Sequence, residues 1–143
     1  MFVDLTGKKI LICYIKNSLN EVVSEKPWRK SLLDCVCKYW EIPNVAKANA
    51  VDFIVGVDEN KCIVVVAKLN AKGWQKVSEL EIKNEEPVLK NKSFLNRYAF
   101  EGEDISKSPE SKKLIGAKLP DTIKFEHGIT YPLYCDDGKI IPW

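Results

Sequence analysis

The sequence predicts an α+β domain in which strands outnumber helices, and three observations predict it. Strand-sized runs of β-branched and aromatic residues recur along the chain, bounded by Gly, Pro, Asn or Asp. Helical spacing of apolar residues is confined to a few short segments. A sustained strand–helix–strand–helix alternation is missing, which sets aside a Rossmann-type fold. The expected inventory is about five to seven strands and two or three short helices, and a curled sheet or small open barrel with helices packed on it accommodates that inventory.

The elements follow in order. Ile10-Leu11-Ile12-Cys13-Tyr14-Ile15 is an unbroken apolar run, as in a strand buried on both faces. Pro27 to Tyr39 has helical spacing, with Trp28, Leu32, Val36 and Tyr39 or Trp40 recurring on one side. Pro27 suits a first turn, where a missing N–H is tolerated. Asn44 is placed to cap a short second helix through Ala50. Val51 to Val57 and Cys62 to Lys68 flank the turn Asp58-Glu59-Asn60-Lys61 and read as a hairpin. Asn70 to Gly73 reads as a break, and Val77, Leu80 and Ile82 as a further strand.

Lys83 to Lys92 is a charged connection. Arg97 to Glu101 is a strand with Tyr98 and Phe100 on one face. Ser108-Pro109-Glu110 starts a short helix that Gly116 stops. Thr122 to Glu126 alternates as a strand. Tyr131 to Tyr134 and Lys139 to Ile141 pair across the Asp136-Asp137-Gly138 turn. Neighbouring strands are expected to pair antiparallel.

The 143 residues suit one domain, 1–143, with one core. Hydrophobic residues make up 45% and charged residues 29%, so disorder is not the expectation. The formal net charge is +2. That is far from the basic excess of a protein that coats DNA, so any contact with nucleic acid needs a local patch or pocket. No apolar run approaches the roughly 18 residues of a membrane span. Met1-Phe2-Val3-Asp4-Leu5 does not have the form of a signal peptide. With five cysteines, an odd number, the reading is a cytoplasmic protein with reduced thiols and no membrane partner.

Motifs for chemistry are thin. On a helix, Cys35-Val36-Cys37 puts the two thiols about 200° apart, so they cannot face one ion, and buried small hydrophobes account for them. His127 is the single histidine, and neither Cys135 nor Asp136 stands at a catalytic spacing from it. Asp136-Asp137 belongs to a turn, and Glu101, Glu103 and Asp104 add no ligand spacing. Gly56 stands alone, without either glycine-rich nucleotide fingerprint, and marks a bulge or a close backbone approach. The reading therefore names no catalytic residue, no metal ligand and no cofactor, and the chain is not taken for an enzyme.

The aromatic residues carry more. There are four tryptophans: Trp28, Trp40, Trp74 and Trp143. A flat π surface beside a cation is what stacking on a base requires. Core packing is the alternative for each indole. Arg29 and Arg97 are the two arginines in a lysine background, suited either to bidentate and stacked contacts or to structural ion pairs.

The succession Trp28-Arg29, Trp40, Ala46 to Ala50, Asp52-Phe53-Ile54-Val55-Gly56-Val57, Ile63-Val64-Val65-Val66, Gly73-Trp74 and Arg97-Tyr98-Ala99-Phe100-Glu101-Gly102 resembles the PUA-like superfamily, in particular its EVE, YTH and ASCH-like relatives. It is also similar to small domains associated with modification-dependent restriction and phage defence. The resemblance covers about residues 27 to 102. It implies a small curved antiparallel or mixed β-barrel with two or three short helices around it. It also implies a pocket for RNA, DNA or a flipped, modified base. Carried onto this chain, Trp28, Trp40 and Trp74 are the stacking candidates, and Arg29, Lys47 and Arg97 the polar or phosphate candidates. The expected function is a nucleic-acid-binding module. One alternative is a protein–protein adaptor with an exposed apolar patch, for which Trp143 is the candidate centre. A third reading is an enzyme acting on modified nucleosides, which needs a polar pocket where Lys meets Glu or Asp.

Overall fold

Strands that are apolar on both sides need a covering layer on each face, and the fold supplies two. The computed structural model describes residues 5–16, 19, 31–79, 95–125 and 131–143. Six strands form one sheet: β1 (Lys9–Tyr14), β2 (Phe53–Val57), β3 (Ile63–Lys76), β4 (Tyr98–Asp104), β5 (Leu133–Asp136) and β6 (Lys139–Ile140). Their order is β4-β3-β2-β1-β5-β6. Among the described residues two complete helices accompany them, α1 (Leu32–Cys37) and α2 (Val45–Asn49). The architecture is therefore α+β with a mixed sheet. Among the described residues no strand pairing closes that sheet into the expected barrel; β4 and β6 are its edges.

One pairing departs from the antiparallel expectation. β1 and β2 run parallel, Ile10 opposite Phe53 through Tyr14 opposite Val57. Parallel neighbours require a crossover, and the stretch holding α1 and α2 provides it. The other neighbouring pairs are antiparallel.

Period-two alternation sorts the side chains. Leu11, Cys13 and Ile15 join Ile54, Val65, Ala67 and Phe100 beneath the helices, with Cys35, Val36, Trp40 and Ala48 above them. Ile10 and Ile12 join Phe53, Val55, Val57 and Val66 on the other face, covered by Ile105, Leu114, Leu119 and Ile123. Gly56 combines both of its expected roles. The β2–β3 register shifts between Gly56 and Val57. A Cβ at Gly56 would stand 2.8 Å from the Val36 Cγ1 and 2.9 Å from the Ile15 Cδ1, so the missing side chain lets α1 settle on the sheet.

Several elements differ from their sequence expectation. Helix α1 begins after Ser31, whose Oγ accepts from the Asp34 N–H at 3.2 Å. Lys38 is already extended, so Tyr39 and Trp40 follow the helix, and Pro27 to Lys30 lie outside the described residues. β3 runs straight through the expected break at Asn70 to Gly73. The β3–β4 register shifts there, from Leu69 opposite Gly102 to Trp74 opposite Phe100, so the polar residues bulge instead of ending the strand. Val77–Glu79 is a 3-10 turn, not a strand start, and Leu80 and Ile82 lie outside the described residues.

The expected helix from Ser108 to Gly116 is instead a chain of turns. Ser111 N bonds Ser108 O, Leu114 N bonds Ser111 O, and Ala117 N bonds Leu114 O. The competing force is pairing with β3: Gly116 N donates to Ile63 O at 2.8 Å, and Ile63 N to Ala117 O at 2.9 Å. Thr122 to Phe125 joins no ladder, yet Ile123 and Phe125 still pack on the same core. No helix among the described residues is long and apolar enough to cross a membrane.

Candidate functional site

Four of the six sequence candidates fall in the described residues; Trp28 and Arg29 lie outside them. Trp40 follows α1, and its backbone pairs with Tyr98 at the start of β4. Its indole N–H donates to the Val36 carbonyl at 3.0 Å, and the side chain is buried. Trp74 stands edge-on to Phe100, ring centroids 4.6 Å apart, and is buried as well. The Asn49 Oδ1 accepts from its backbone N–H at 2.8 Å. The Trp74 indole N–H is buried and meets no acceptor among the described residues. Arg97 is half-buried, its Nη1 donating to the Tyr39 carbonyl at 3.5 Å. Trp40 and Trp74 therefore share one face of the sheet with α2, but as core side chains. Neither offers a ring face for stacking.

Lys47 leads elsewhere. Asn44 caps α2, its Oδ1 accepting from Lys47 N at 3.1 Å. One turn of helix carries the Lys47 side chain to the C-terminal hairpin. Its ammonium donates to the Trp143 main-chain oxygen at 2.9 Å and stands 5.8 Å from the Tyr134 ring centroid. The Trp143 indole N–H donates to the Pro132 carbonyl at 3.1 Å, and its ring packs at 5.4 Å from that of Tyr134. The hairpin itself follows from its turn residues. Asp137 and Gly138 have φ of 52° and 79°, the pair of positive angles that a two-residue turn demands.

Beside this hairpin lies an open groove of about 420 Å³, lined by Pro43 before α2, by Tyr131, Tyr134 and Trp143, and by Leu133, Ile140, Ile141 and Pro142. None of these side chains carries a charge. Ile140 on edge strand β6 is 41% exposed. Concave, mainly apolar sites with a few polar groups are the usual form of a binding pocket. Sequence reasoning named Trp143 and Lys47 separately and missed Tyr131 and Tyr134. The available signal was their placement on either side of Pro132, in a hairpin announced by Asp-Gly.

A second hollow, of about 260 Å³, is lined by Lys16, Leu19, Asp58, Glu59 and Asn60. It brings lysine and carboxylates together, as the enzyme reading asks. However, the Asp58 Oδ1 already accepts from the N–H groups of Asn60 and Cys62, so it shapes the turn. Lys16 and Glu59 are 3.9 Å apart and about half exposed, an ordinary surface pair.

The thiols are core groups. Cys13, Cys35, Cys37 and Cys135 are buried, and none of the five cysteines forms a disulfide. Burial, with the Cys37 thiol adding to it, pushes Cys13 well above the usual range; burial also raises Cys135. They are held as neutral thiols, the opposite of an activated nucleophile. Among the described residues no group of three His, Cys, Asp or Glu side chains is placed to hold a metal ion. No protein-family model, no curated protein and no solved structure matches the chain.

Proposed function

We propose that the chain is a nucleic-acid-binding module that takes an unpaired, flipped or modified base in the groove beside the C-terminal hairpin. The observation that carries this reading is the meeting of three aromatic side chains, Tyr131, Tyr134 and Trp143, in one concavity with the Lys47 ammonium against its wall. Aromatic faces serve any base, and the Lys47 ammonium stands against the wall that carries them. The stacking role passes from Trp40 and Trp74 to Tyr131 and Trp143, which are half-buried, with buried Tyr134 behind Trp143. The PUA-like barrel is kept as part of the proposal, supported by the mixed sheet, its two register shifts and the helices over one face. A cytoplasmic setting belongs to it too, supported by five cysteines outside any disulfide.

The test is a tryptophan-fluorescence titration with short single- and double-stranded DNA and RNA, methylated and unmethylated, at two salt concentrations. Saturable quenching that weakens with salt and is lost in Tyr131→Ala supports the reading. Absence of quenching with every oligonucleotide refutes it. A second reading, a protein adaptor that seats an apolar segment, is favoured by the uncharged lining and by Ile140 at 41% exposure. It predicts a groove whose occupancy is insensitive to salt.

A further inference from the structure

We infer that Lys47 is a positioning residue for the groove, setting the Trp143 wall, and is not the phosphate contact that its type suggests. The inference rests on the proposal that this groove is the site. A lysine that meets a phosphate must point its ammonium at solvent or at the ligand. Here it is turned to the C-terminal hairpin. It donates to the Trp143 main-chain oxygen at 2.9 Å and lies along the Tyr134 ring at 5.8 Å. Two further bonds complete the wall: the Trp143 indole to the Pro132 carbonyl at 3.1 Å, and Ile141 N to Tyr134 O at 2.8 Å.

Of these contacts, only the one from Lys47 joins the wall to the helical layer. Pro43, which lines the groove, and Lys47 flank the same cap, Asn44, so the start of α2 meets the groove and its Trp143 wall together. The placement of the Trp143 ring against Tyr134, and hence the aromatic face offered to a planar group, follows from where the ammonium holds the main chain. A positioning residue acts on affinity through geometry, whereas a phosphate contact acts through released counterions. The two therefore differ in salt dependence.

The experiment compares wild type, Lys47→Met and Lys47→Arg. The first readout needs no ligand: the indole ¹H–¹⁵N signals of Trp143 and Trp40. The second is affinity for a short single-stranded oligonucleotide across a salt series. The expected result is a shifted Trp143 signal in Lys47→Met with Trp40 unmoved. Affinity falls about tenfold, the slope of log affinity against log salt is kept, and Lys47→Arg recovers most of the loss. A Trp143 signal unmoved in Lys47→Met overturns the inference. So does a salt slope lowered by about one, the mark of a lost phosphate contact. If wild type binds no oligonucleotide while the Trp143 signal still moves, the nucleic-acid reading fails and the positioning role stands.

Discussion

Two aromatic regions of this molecule share a sheet face and have opposite fates. At the β3–β4 corner, Trp40, Trp74 and Phe100 are closed under α1 and α2, all three buried. At the β5–β6 hairpin, Tyr131 and Trp143 are half-buried and border an open groove. Composition does not separate them, since each offers aromatic rings with a basic residue nearby, Arg97 in one and Lys47 in the other. Coverage separates them. The first region lies beneath the helical layer. The second lies at a sheet edge, where β6 is two residues long and both of them are exposed. An aromatic ring stays accessible where the covering layer stops.

That contrast is most easily broken in the closed region. Trp40→Ala should cost about 3–5 kcal/mol, as truncation of a packed indole leaves a cavity, and a urea or guanidinium melt will show it. A loss below about 1 kcal/mol would mean that the corner is not a packed core. Gly56→Ala should cost about 1–3 kcal/mol, because its Cβ would meet the Val65 Cγ1 at 2.7 Å and the Val36 Cγ1 at 2.8 Å. The same melt reads it.

The thiols of this core predict a pH limit. Burial holds Cys13 protonated in the folded state, above the value it has when unfolded. Its contribution is therefore complete below about pH 8.5 and is lost as pH rises past that point, by about 1.4 kcal/mol per unit. Denaturation midpoints from pH 7 to 10 should stay level and then fall, with a smaller fall in Cys13→Ala.

Asn44 joins the two regions, and Asn44→Ala should remove about 1 kcal/mol by uncapping α2. It should also loosen the groove, read as weaker ligand binding. The smallest effect on stability belongs to the open region. Ile140→Ser should stay within about 0.5 kcal/mol of wild type, as a surface change does. If the groove is the site, the same substitution still lowers affinity in a fluorescence titration.

The parts legible in the sequence were those decided by local chemistry. The apolar run at Ile10 announces β1, Asn44 announces the α2 cap, and Asp137-Gly138 announces the hairpin. What escaped depended on distant partners. Ser108 to Gly116 has helical end signals, but the backbone of β3 competes for its bonds. Asn70 to Gly73 looks like a break, yet Asn49 holds the bulge from α2. The parallel β1–β2 pair depends on a crossover that no spacing reveals. The groove was least legible of all, because Lys47 and Trp143 stand 96 residues apart.

The most direct measurement is a titration of uniformly ¹⁵N-labelled protein with a short single-stranded oligonucleotide, following the indole N–H signals. The prediction is that Trp143 shifts and saturates while Trp40 and Trp74 hold their positions, since only the first borders an open surface. Shifts at Trp40 and Trp74 with Trp143 unmoved would contradict the account and return the binding site to the β3–β4 corner.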